Sequence, residues 1–182
     1  VYGLDMTDDG LEKPAATLGD DAFHYRTCDL REAEAVAKTM AEIGEAAGSI
    51  NSLIACAGVL KLGPLAGMSV EDFDMVFDVN VRGLWLSAKE AMPMLRKAAD
   101  AGELARVILL SSVSALRPKI DSGAYSASKA AVSQLTRVLA VECAEHGILV
   151  NALAPGTVDT PMVNNQGDPA KSGKWRPSGP SP

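Results

Sequence analysis

Apolar positions along this chain fall into two patterns. Short apolar runs at 1–5, 23–28, 52–56, 107–110 and 148–153 are too brief for helices, and they lead into Asp5, Asp29, Gly58, Ser111 with Ser112, and Pro155 with Gly156. Between them, apolar residues recur every three or four positions. In 31–47, Ala35, Val36, Met40 and Ile43 share one stripe and Gly48 stops the run, which predicts a surface-covering helix. Ser69 stands where an N-cap belongs, with Glu71 and Asp72 in the first turn of a long helix running toward residue 96 that Pro93 kinks or divides. Another long helix is predicted over 122–145. The stretch 6–21 carries Gly10, Pro14 and Gly19 and has room for a short helix only.

Alternating strands and helices predict an α/β domain with a parallel sheet, because parallel neighbours need crossover connections. Ligands then belong at the carboxyl ends of the strands. The run 52–56 has no polar face and is expected to be buried on both sides. Residues 1–163 read as one domain. The stretch 164–182, with four Pro among Asn, Gln, Gly, Ser and Lys, reads as a flexible substrate-loop region or a ragged terminus in which Trp175 covers a substrate or packs a loop.

Composition narrows the classes. At 182 residues, 47% hydrophobic and 22% charged, the chain suffices for one domain with a sizeable core. A net charge of −6 with scattered basic residues offers no stripe for nucleic acid. Cys28, Cys56 and Cys143 have no CxxC spacing, so no metal site is expected, and Cys56 and Cys143 are expected to be inert core thiols. No apolar run reaches the ~20 residues of a membrane helix. No signal peptide opens the chain, which leaves the cytoplasm as its expected location.

Tyr125 and Lys129 lie four apart near the start of a helix and so share a face. A phenol is a poor base at neutral pH unless a nearby ammonium favours its phenolate, and Lys129 can supply that field. Ser112 ends a strand thirteen residues earlier, where its hydroxyl reaches the functional edge of the sheet, with Ser111 and Ser114 as competitors. Asp5, closing the first run, can bond both hydroxyls of an adenosine ribose and repel a 2′-phosphate.

Ser112, the segment Tyr125-Ser126-Ala127-Ser128-Lys129 and the segment from Asn151 to Thr160 resemble, in order and spacing, the short-chain dehydrogenase/reductase family. The resemblance runs over residues 1–163. It implies a Rossmann-like, doubly wound parallel sheet truncated at both ends, and an NAD-dependent oxidoreductase that interconverts a secondary alcohol and a ketone. Tyr125 would be the acid/base and Lys129 its activator, also holding the nicotinamide ribose. Ser112 would orient the substrate oxygen, and Asn80, within Asp78-Val79-Asn80-Val81, would support a proton-relaying water. Asp5, Asp29, Leu30, Ala57 and Gly58 would contact the cofactor, with Pro155, Gly156, Val158 and Thr160 at the carboxamide side of nicotinamide, where Gly156 permits close backbone approach.

The resemblance also implies a homodimer or homotetramer through the two long helices, whose apolar residues Leu84, Leu86, Leu135, Val138 and Leu139 serve the core, a subunit contact, or both. The substrate would be a small alcohol or ketone, of the 3-oxoacyl or cyclic-diol type, with Arg117, Lys119 and Ile120 at the mouth of the site. Two departures matter. Ala55 and Cys56 replace the family's Asn-Asn pair, and no Gly-rich phosphate loop occurs, so that turn and its strand are expected outside this chain. The alternative is a catalytically incomplete fragment that binds no cofactor and serves, if at all, as an interaction module.

Overall fold

The computed structural model describes residues 1–9, 11–19, 22–160 and 162. Among them five parallel strands form two hydrogen-bonded groups. In the first, β1 (Tyr2–Asp5) pairs with β2 (His24–Thr27). In the second, β4 (Arg106–Leu110) lies between β3 (Ser52–Ala55) and β5 (Leu149–Leu153), in a register that aligns Leu53, Val107 and Val150. The parallel strands expected are present in two groups, with no described strand between β1 and β3.

Side-chain alternation decides which face each residue serves. Leu53, Ala55, Val107, Leu109 and Val150 pack under α4 (Leu84–Asp100) and α5 (Gly123–Cys143), against Leu84, Ala91, Leu95 and Val132. Tyr2 and Leu4 of β1 pack with Val36, Met40 and Ile43 of α2 (Ala33–Ala47) and with Leu86 and Met94 of α4. Three helices thus lie on one face. Gly3, of opposite parity, fits against Phe23 and Leu11 beside α1 (Glu12–Leu18), which places that helix on the other face. The fold is a Rossmann-like, doubly wound α/β arrangement.

The second face of β3, β4 and β5 has no described helix over it. Ile54, Leu149 and Leu153 are 59%, 54% and 53% exposed. Burial of residues 52–56 on both sides is therefore corrected to burial on one. An apolar run reports that a strand tolerates two covers; whether both are present depends on elements remote in sequence. Leu84 and Leu86, candidates for a subunit contact, lie in the core, whereas Val138 is exposed.

The long helix expected from Ser69 is composite. Ser69 caps α3 (Val70–Phe77), its hydroxyl accepting the Asp72 N–H at 3.1 Å. The chain then widens into a π-helical turn over Asp78–Gly83 before continuing as α4. Pro93 does not divide it: Pro93 sits on the exposed side of α4, where the carbonyl it leaves unpaired can reach water. The extra residue of the π turn lays the Gly83 backbone on Leu30, so closely that a Cβ there would stand 2.9 Å from the Leu30 Cβ.

The same turn aims Asn80 inward, where it is fully buried. Its Oδ1 accepts the Val59 N–H at 2.7 Å, and its Nδ2 donates to the Val59 carbonyl at 2.9 Å and to Ser128 Oγ at 3.0 Å. Ser128 in turn donates to the Tyr125 carbonyl at 2.7 Å. One amide, with all its donors used, joins the loop after β3, the π turn and the first turns of α5.

Asn80→Leu keeps the bulk and removes all three bonds, so it is expected to destabilise the protein by about 2–4 kcal/mol. Truncating a core residue, Leu95→Ala, is expected to cost about 2–5 kcal/mol. Urea unfolding midpoints compare the two, and a parental midpoint for Asn80→Leu would mean that the amide carries no stability.

Candidate active site

Strands run parallel within each group, so the carboxyl ends of β1 and β2 gather Asp5 and Cys28 with Asp29, and those of β3, β4 and β5 gather the loop from Cys56 to Gly58, Ser111 with Ser112, and Pro155 on one edge. Helix α5 starts at this edge and carries Tyr125, half-buried, on its first turn. Lys129 lies one turn further along the same face, and its Nζ is 5.7 Å from the centroid of the Tyr125 ring.

Lys129 is only 4% exposed. Its Nζ donates to the Leu110 carbonyl at the end of β4 at 2.8 Å, and no carboxylate pairs with it among the described residues. Desolvation lowers its pKa from 10.5 to about 8, partly offset by the neighbouring Cys56 thiol. At neutral pH the cation still predominates, directed at the tyrosine. Gly58 makes this packing feasible: a Cβ there would lie 3.3 Å from Asn80 Oδ1 and 3.4 Å from Lys129 Nζ.

The three serines separate by their bonds. Ser111 donates to the Lys129 carbonyl at 2.8 Å and shares a 2.7 Å bond with Ser133, so it anchors β4 to α5. Ser112, buried, uses its Oγ only to accept the Ser114 N–H at 3.1 Å. Its own proton is uncommitted among the described residues. Beside it the Val113 N–H donates to the Pro155 carbonyl at 3.0 Å, tying the end of β4 to the loop after β5. Among the described residues, its chain neighbours aside, no atom lies within 4 Å of the place a Gly156 Cβ would take. Val158 is exposed, and Thr160 Oγ1 donates to the Val158 carbonyl at 3.5 Å.

The other carboxyl ends belong to β1 and β2. Asp5 is exposed, one carboxylate oxygen accepting the Thr7 N–H at 3.2 Å. Arg31 grips Asp29 through both carboxylate oxygens, at 2.6 Å for its Nη2, and that bond holds the Asp29 carboxyl below its ordinary range. Leu30 meets the site's own network through its contact with Gly83. Ala57 is half-buried. Cys56, expected in the core, is exposed, just past the end of β3 at Ala55. Cys143 is buried as expected.

Tyr125, Lys129, Asn80 and Gly58 therefore share one hydrogen-bonded and packed unit with Ser112 on the adjoining strand end, while Asp5 and Asp29 stand on the other strand group. Sequence reasoning passed over Ser128, which links Asn80 to the Tyr125 carbonyl. The signal for it was a serine inside a helix, where such residues compete with the backbone for hydrogen bonds and need a reason to be there. Trp175 and the stretch 164–182 lie outside the described residues.

Comparison with known proteins is consistent with this geometry. The family model described as short chain dehydrogenase matches residues 1–171. The oxidoreductase UcpA of Salmonella typhimurium is 39% identical over 166 residues, which are 89% of this chain and 61% of that protein. The vibriobactin-specific 2,3-dihydro-2,3-dihydroxybenzoate dehydrogenase of Vibrio cholerae is 32% identical over 154 residues, 84% of this chain and 57% of its own length. Among solved structures, a 3-ketoacyl-(acyl-carrier-protein) reductase from Brucella melitensis complexed with NADH superposes with a TM-score of 0.84 at 28% identity, covering 89% of this chain and 67% of that one. The chain spans about three fifths of the length of these curated relatives. Matched along nearly its whole length by the family model, and by relatives over most of it, the chain belongs to the short-chain dehydrogenase family as a partial member.

Proposed function

We propose that the protein containing this chain is an NAD(H)-dependent oxidoreductase that interconverts a secondary alcohol and a ketone, with Tyr125 as acid/base. The observation that carries this reading is Lys129, a buried cation without an ion-pair partner among the described residues, lying beside a half-buried phenol. Such a charge is costly to the fold, and a site that retains it points to chemistry. Tyr125 Oη, beside this ammonium, takes the proton of a substrate hydroxyl and returns it in the reverse direction. Ser112 donates its uncommitted proton to the substrate oxygen and holds it in place. Asn80 keeps the loop after β3 against α5, which fixes the distance between Lys129 and the edge of the sheet.

The residues of this chain suit part of the cofactor. Pro155, Gly156, Val158 and Thr160, with no described residue beyond the chain neighbours crowding Gly156, would take the nicotinamide end, and Tyr125 and Lys129 its ribose. Asp5 would bond the adenosine ribose, which favours NAD over NADP, while Asp29 and Leu30 would flank adenine and Ala57 and Gly58 would lie beneath. When bound, the cofactor supplies the hydride acceptor or donor. The NADH complex of the Brucella reductase and the diol-type activity in the Vibrio relative's name support this class and leave a 3-oxoacyl or cyclic-diol substrate as alternatives. Exposed Trp85, Val138 and Val141 on α4 and α5 support a subunit contact there in a dimer or tetramer.

A second reading, a fragment that binds no cofactor, is favoured by the division between β1 and β3 and by the lack of a Gly-rich turn. NADH fluorescence titration of this chain, and of the chain extended upstream through a phosphate loop, distinguishes them. Saturable binding weakened by Asp5→Ala is expected for the longer form, and absence of binding by both would sink the dehydrogenase reading.

In the extended form, Tyr125→Phe is expected to lower turnover about 10²–10⁴-fold while NADH affinity is retained. Steady-state kinetics beside the titration check this, and equal turnover would remove Tyr125 from the chemistry. Lys129→Met keeps the stem and deletes the charge. The folded pKa of about 8 lies below the unfolded 10.5, so the protonated lysine destabilises the fold below pH 8, and this is relieved as pH rises toward 10.5. The variant is expected to be the more stable of the two at pH 7 without cofactor, with an advantage that shrinks by pH 10. Thermal melts across that range measure it; a variant clearly less stable at pH 7 would show that Lys129 is kept for folding.

A further inference from the structure

The segment between Ser112 and Tyr125 forms one wall of the proposed site, and its hydrogen bonds define where its side chains start. The Ala115 N–H donates to the Ser112 carbonyl at 3.0 Å, and the Leu116 and Arg117 N–H groups donate to the Val113 carbonyl at 3.0 and 2.9 Å. Residues 113–117 thus make a single helical turn, which stacks Arg117 over Val113 with about 5–6 Å between Cβ atoms. Val113 is itself bonded to Pro155. Arg117 therefore starts one helical turn from Val113, the residue that follows Ser112 and is bonded to the loop after β5.

The far end of the segment is pinned as well. Ser122 donates to the Lys119 carbonyl through both N–H and Oγ, at 3.2 and 2.9 Å. The Gly63 N–H donates to the Asp121 carbonyl at 2.8 Å, and Gly63 bridges to Ser122. Asp121 is held at φ +61°, a conformation costly for a residue with a side chain. The wall is a set structure joined to the loop after β3.

Its exposed surface carries apolar side chains beside the charged Arg117, Lys119 and Asp121. Leu62, Leu65, Leu116 and Ile120 are all exposed. Lys61 is paired with Asp72 at 2.9 Å. Exposed Arg117 has no ion pair or side-chain hydrogen bond among the described residues, in a chain whose net charge is −6. A guanidinium offers a planar fork that matches a carboxylate through two parallel bonds.

We infer that the site takes a secondary alcohol or ketone carrying a carboxylate on an otherwise apolar body, and that Arg117 binds this carboxylate and sets the specificity. The inference rests on the dehydrogenase reading for the reacting group, but the carboxylate site is measurable without turnover.

Calorimetric titration of the NADH-loaded, upstream-extended chain carrying Tyr125→Phe, with 3-oxocyclohexanecarboxylate and with its methyl ester, is the test. The carboxylate is expected to bind at least about tenfold more tightly than the ester. Arg117→Gln should abolish that preference and leave ester affinity unchanged, with Arg117→Lys restoring part of it. Equal affinities, no binding of the carboxylate, or a preference that survives Arg117→Gln would overturn the inference. With Tyr125 intact, a carboxylate preference without turnover would support the carboxylate site while counting against the dehydrogenase reading.

Discussion

A buried amide that has to place three hydrogen bonds is the constraint on which the site is built. Asn80 has no access to water, so every polar atom of its side chain must be met by protein. Val59 offers both an N–H and a carbonyl, which fixes which way the amide faces, and Ser128 takes the remaining donor. The π-helical turn that delivers Asn80 also brings Gly83 onto Leu30. One irregular turn thereby sets the loop after β3, the start of α5 and the approach of the β2–α2 connection. Tyr125 takes its position from this network through its carbonyl, and so does not depend on hydroxyl contacts for its placement.

Against that fully satisfied group stands Lys129, equally deep and electrically unmatched. Among the described residues its hydrogen-bond partner is the Leu110 carbonyl, and a single neutral acceptor does not compensate the removal of an ammonium from water. Its lowered pKa expresses that cost. The two groups complement each other. Asn80 provides the rigidity that keeps Lys129 from swinging out to solvent, and the cation lies where a phenol and a strand-end hydroxyl share the open edge of the sheet. This division between a satisfied support and an unsatisfied working group is the usual signature of a functional site.

The alternation of strand and helix and the cap at Ser69 were legible in the sequence because they depend on local spacing. Ser69 caps where expected, and Tyr125 and Lys129 share a face because an i,i+4 pair must. What stayed hidden depends on distant neighbours. A run such as 52–56 shows that both faces are apolar, but the bareness of Ile54 follows from which helices cover the sheet. The π turn leaves no mark in apolar periodicity, since it shifts the helix by a single residue. That Ser111 is bonded to α5, which sets it apart from Ser112, is likewise visible only in the structure. Cys56 read as a core thiol from its neighbours, whereas it is exposed just past the end of β3.

The most direct test of the central claim is the ionisation of Lys129 itself, followed by NMR of ¹³Cε-labelled lysines through a pH titration of the protein without cofactor. One lysine resonance should titrate near pH 8, well below the ordinary 10.5, and should be missing from the Lys129→Met spectrum. If every lysine titrates at its ordinary value, Lys129 is solvated, and the buried, unpaired cation at the centre of the site does not exist.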